Sequence, residues 1–182
     1  MRNLLQSIDR FVGLAANLLV VVAGVTLFVL PLVTTAYVIL RQLKIEIFFV
    51  EEWSGYLLVL MGWFAAAYTL RTGGHIDVAL VYRHLRPRLK NAFLSAASLI
   101  SVLIMVYLVK KSVDWFLYGL RTGIVSNFPS RTPIWIPYLF VPVGATVFTL
   151  TLFVLFIRRL IATAKGSGEV DVTKSIDLDI PV

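Results

Sequence analysis

Four stretches of this chain contain no charged residue: between Arg10 and Arg41, between Glu52 and Arg71, between Lys90 and Lys110, and between Arg131 and Arg158. The shortest runs from Trp53 to Leu70 and would make about 27 Å of helix at roughly 1.5 Å per residue. A bilayer's hydrocarbon core is about 30 Å thick, so every stretch comes close to spanning it or exceeds it. Backbone inside lipid must satisfy its own hydrogen bonds, which leaves helices or a closed barrel. The stretches are continuously apolar rather than alternating, so they read as helices. Only 15% of the residues are charged, against about 25% in soluble domains. The composition excludes a soluble fold and predicts an all-α integral membrane protein with four transmembrane helices.

The run from Phe11 to Leu40 is about twice the length of a signal-peptide core and lacks a small-residue cleavage site. It reads as a retained first helix that must tilt, kink near Pro31, or protrude. The chain has no cysteine, which removes disulfide exchange, thiolate metal sites and lipid attachment through a thiol. The formal charge of +7 gathers at span ends, where topology explains it without nucleic acid.

Six of the basic residues, Arg41, Lys44, Lys110, Lys111, Arg121 and Arg131, fall on one side of the four-span plan, and the other eleven on the opposite side. The positive-inside rule makes the majority side cytoplasmic, with both termini inside. Aromatic residues provide an independent signal. Trp53 and Tyr56 open the second span, Trp115 and Tyr118 follow the third, and Trp135 and Tyr138 open the fourth. All lie on the minority-charge side, as an interfacial belt requires.

Short interfacial amphipathic helices are expected in two places. After Gly73-Gly74, the residues Val78, Val81, Tyr82 and Leu85 share one helical face and would lie on phospholipid headgroups. After the third span, Val113, Phe116, Leu117 and Leu120 do the same, so that helix continues past the surface or bends along it. Residues 1–165 form the transmembrane domain in this reading, and 166–182 a disordered cytoplasmic tail. The repeated Leu-Arg-Thr-Gly at 70–73 and 120–123 has no similarity around it and reads as coincidence.

No Asp, Glu, Lys, Arg or His lies inside these four spans, whereas ion paths and proton relays place such groups at membrane depth. The polar groups there, among them Asn17, Ser98, Ser101, Thr146 and Thr149, read as interhelical hydrogen-bonding groups. His75 and His84 both fall in the connection after the second span, out of reach of a haem held within the bundle. Zinc-protease, phosphate-loop and nucleophile-elbow patterns are missing, so neither an enzyme nor a resident cofactor is expected. Glu51 and Glu52 open the second helix, where carboxylates complement the dipole or pair with bases of a partner. Pro142 should kink the last helix, and Gly144, like the Gly62–Ala66 pair, offers a close-packing surface.

Two segments carry a family resemblance. Arg71-Thr-Gly-Gly-His75-Ile-Asp-Val follows a helix opened by Glu51-Glu52-Trp53, and Thr132-Pro-Ile-Trp135-Ile-Pro137-Tyr-Leu-Phe-Val-Pro142-Val-Gly144 leads into the last helix. Together with the length and the four-span plan, they resemble the small membrane subunit of TRAP transporters, the DctQ-like family, over roughly residues 5 to 162. One departure is Ala65-Ala66-Ala67, where members often carry a glycine.

The resemblance implies a scaffold subunit in the bacterial inner membrane, part of a tripartite importer of organic acids. Its partners would be a large multi-span membrane subunit, which holds the substrate and sodium sites, and a periplasmic substrate-binding protein. Glu51, Glu52, Trp53, Arg71, His75, Arg121, Arg131, Trp135, Pro142 and Gly144 are the candidate partner-interface residues. A self-contained homo-oligomeric channel or small transporter for neutral solutes is the alternative.

Overall fold

A computed structural model describes residues 2–45, 47–72 and 87–165. Within them the chain forms four long helices and one short one: α1 Arg2–Gln42, α2 Phe48–Arg71, α3 Pro87–Thr122, α4 Trp135–Tyr138 and α5 Phe140–Lys165. Four of them are long and apolar enough to cross a membrane, counting α4 and the start of α5 as one span. The expected segment at 78–85, His75 and the tail at 166–182 lie outside the described residues.

Each helix buries one narrow ridge and leaves an equally apolar face outward, the pattern that lipid rather than water selects. On α1, Val12, Ala16, Leu19 and Ala23 are buried, while Phe11, Leu14, Leu18, Val21, Val25 and Phe28 point away from the bundle. Pro31 sits inside α1 without ending it. The 41 residues of α1 run about 61 Å at 1.5 Å per residue.

The core joins Leu19 and Ala23 of α1 to Leu60 and Phe64 of α2, with Trp63, Phe140 and Val147 packed against them. α5 holds the centre: it packs on α1, α2 and α3, whereas α3 leans chiefly on α4 and α5. Where α5 crosses α2, a side chain at Gly144 would lie 2.7 Å from the Trp63 Cβ and 2.8 Å from its carbonyl oxygen. That close approach is the packing surface expected of Gly144. Pro142 lies in the first turn of α5, and the break it imposes falls at Leu139, between α4 and α5. A proline ring collides with the carbonyl four residues earlier, here that of Tyr138, so the helix resets just before it.

The structure corrects one expectation. The hydroxyls of Ser101, Thr146 and Thr149 donate to the carbonyls of Ala97, Pro142 and Ala145 in their own helices, rather than across helices. In an apolar surrounding the i−4 carbonyl is the nearest acceptor. Beyond Lys110 the third helix takes the first of the two courses expected for it and continues. α3 continues unbroken to Thr122, where Gly123 terminates it in the left-handed conformation (φ 62°). Residues 113–120 are therefore part of the one continuous helix α3, with Phe116 half-buried and Val113, Leu117 and Leu120 exposed. Lys110, Lys111 and Asp114 consequently belong to a helix long enough to cross the membrane.

Candidate functional site

Polar chemistry in the described residues gathers at the two ends of the bundle. At one end, α2 opens at Phe48, putting Glu51 in its first turn, exposed, where it complements the dipole as expected. Glu52, one residue on, points inward and is only 4% exposed. A carboxylate at that burial needs partners for its lone pairs. They come from Tyr56 one turn below, whose hydroxyl donates at 2.9 Å to Oε1, and from the loop before α4. There Ser130 and Thr132 both donate to Oε2, Thr132 at 3.1 Å. Ser126 is directed at the same carboxylate.

That loop is shaped to present its hydroxyls. Its two arms pair through the Ser126 N–H to the Thr132 carbonyl (2.9 Å) and the Ile134 N–H to the Ile124 carbonyl (3.1 Å). The Arg131 N–H closes the turn onto the Phe128 carbonyl at 3.0 Å, and Arg131 itself takes a positive φ of 47°. Glu52 thus fastens the α3–α4 connection to the top of α2. Its carboxylate is engaged within the chain, which leaves Glu51, Arg121 and Arg131 as the charged candidates exposed at this end.

Aromatic rings surround this fastening. Trp53 lies 5.3 Å from Phe49 and 6.0 Å, edge-on, from Tyr56. Trp115 of α3 meets Tyr138 at 6.0 Å, and the Gly119 backbone rides against Trp135. The belt expected from sequence is therefore assembled at one end of the bundle. The Trp53 Nε1–H is buried there with no acceptor among the described residues.

At the opposite end Asp9 of α1 accepts from Arg71 of α2 at 3.0 Å and from Arg158 of α5 at 2.6 Å. One carboxylate ties together three helix ends. Gly13, one turn along α1, makes room for it: a Cβ there would fall 3.0 Å from the Arg71 guanidinium. Arg71, expected at a partner interface, is thus occupied within its own chain. Asp9, Ser126 and Ser130 escaped the sequence reading, and Tyr56, Thr132 and Arg158 entered it in other roles. The one available signal was the sign of Asp9, an acid beside Arg10 on the basic side of the plan. Among the described residues no cluster of three or more His, Asp or Glu could hold a metal.

The fold and its two polar ends define a multi-pass helical membrane protein whose clustered polar side chains hold its own helices together. Residues 30–162 match the DctQ component of Tripartite ATP-independent periplasmic transporters, and the chain belongs to that family. It is thus the small membrane component of a TRAP transporter. No curated protein matches the sequence.

Proposed function

We propose that this chain is the fixed scaffold subunit of a sodium-coupled importer of organic acids, non-catalytic and without a cofactor of its own. It packs against the large membrane subunit, which holds the sodium and substrate sites, and works with a periplasmic binding protein in the bacterial inner membrane. The family match over residues 30–162 carries this reading. The local chemistry supports it. Glu52, Asp9, Arg71 and Arg158 are spent on holding helices and a loop together, and the hydroxyls of Ser101, Thr146 and Thr149 on their own backbone. None of these groups is left free to carry a charged solute.

The test is binding-protein-dependent uptake by vesicles containing the large subunit with or without this chain. Uptake should follow an inward sodium gradient and should require both membrane subunits. Full sodium-driven uptake by the large subunit alone refutes the scaffold role.

A further inference from the structure

We propose that the outward face of α3, centred on Tyr107, Lys110, Lys111 and Asp114, is the seat of a transmembrane helix of the large subunit that carries at least one carboxylate. The proposal rests on the functional reading above and adds the face and its chemistry. α3 has two faces of opposite fate. Ser95, Ser98, Val102 and Gly119 lie on its buried ridge, and Ile100, Leu103, Ile104, Tyr107, Lys110, Lys111 and Asp114 are exposed on the other.

Depth makes the exposed face informative. Gly119 is level with Trp135, where the fourth span begins. Lys111 and Lys110 lie eight and nine residues back along α3, about 12 Å deeper at 1.5 Å per residue. They are therefore level with the first turns of α5, among its apolar residues. Side chains on a helix lean toward its N-terminus, which on α3 is away from the aromatic end. Lys111 follows that rule, its Nζ standing 5.9 Å from the Tyr107 ring centroid, one turn deeper.

Neither lysine has an ion-pair partner in this chain among the described residues, where the pairs found are those of Asp9. Asp114 supplies one negative charge on this face against two positive ones. Charged groups at membrane depth face protein or a water-filled cavity, because lipid offers them no acceptor. Here they face away from their own bundle, so the acceptors must come from another membrane protein. The excess positive charge selects a partner that brings a carboxylate.

The test uses the full chain co-expressed with its large subunit and purified as the complex. A photo-cross-linking residue replacing Tyr107 or Leu103 should form adducts with the large subunit. The double variant K110E/K111E should weaken association about tenfold or more, as expected for facing like charges, and K110Q should have a smaller effect. An intact complex giving no adduct from either position overturns the assignment. So does K110E/K111E association equal to wild type, or anionic phospholipid as the sole adduct. The two readings fail separately. If the large subunit never co-purifies with the wild-type chain, the functional reading falls and this one with it. If it co-purifies and the α3 face stays unlabelled, only this one falls.

Discussion

Glu52 is the residue on which the aromatic end of the bundle depends. Its carboxylate accepts from three hydroxyls, two of them on the loop before α4. Hydrogen bonds to a charged group are worth about 1.5–3 kcal/mol each, and orphaned hydroxyls add a desolvation cost. Glu52→Ala should therefore destabilise the protein by about 3 kcal/mol, much of it as local release of the loop. Arg131 lies on the exposed tip of that loop, so trypsin reads the release directly. Cleavage after Arg131 should rise about tenfold or more in Glu52→Ala, with Glu52→Gln in between because the amide retains one acceptor. Equal cleavage in wild type and Glu52→Ala would show that something else holds the loop. The sequence made Glu52 visible as an acid at a helix start, but not its partners. Ser130 and Thr132 lie 78 and 80 residues away, and no periodicity links them to it. Asp9 was hidden the same way: its contact with Arg158 spans 149 residues.

At the scale of helices, the α2–α5 crossing is set by a missing side chain. With 2.7 Å between a Cβ at Gly144 and the Trp63 Cβ, and 2.8 Å to backbone oxygen, the helices must separate if a side chain is added. Gly144→Val should lower the thermal midpoint of the purified protein by the equivalent of about 1–3 kcal/mol, the usual cost of overpacking. Gly62 on α2 has nothing within 4 Å, so Gly62→Ala should leave that midpoint unchanged in the isolated chain. Equal effects at both glycines would place the critical crossing elsewhere. Both glycines were legible as packing positions, since small residues among long apolar ones have few other uses. Which of the two packs within the chain depended on tertiary register. The spans themselves were legible because lipid tolerates so few compositions. Charges mark where an apolar stretch stops, not where a helix does. α3 keeps its backbone bonded through Lys110 and Lys111, and contact with Trp135 and Tyr138 fixes how far it runs.

At the scale of the whole molecule the prediction concerns its orientation across the bilayer. The aromatic end, with Lys44 and the 123–134 loop, should face out, and the Asp9 end should face the cytoplasm. The distribution of basic residues over the two ends supports this. Because the chain has no cysteine, single substitutions report cleanly. Lys44→Cys and Asn127→Cys should react with an impermeant maleimide on intact cells, and Arg10→Cys only after permeabilisation. Reaction of Arg10→Cys alone on intact cells would invert the plan. The two fastenings also set an order for biosynthesis. Glu52 is made 80 residues before Thr132, an interval of about 4–16 s at 5–20 residues per second. For that time the first helical pair must wait with an acid whose loop partners do not yet exist. Asp9 waits longer still for Arg158, the guanidinium contributed by α5, the last of the described helices to be translated. A chain broken off before the 123–134 loop would therefore leave Glu52 with Tyr56 alone and Asp9 with Arg71 alone, a half-met carboxylate at each end by which membrane proteases could tell unfinished copies from finished ones.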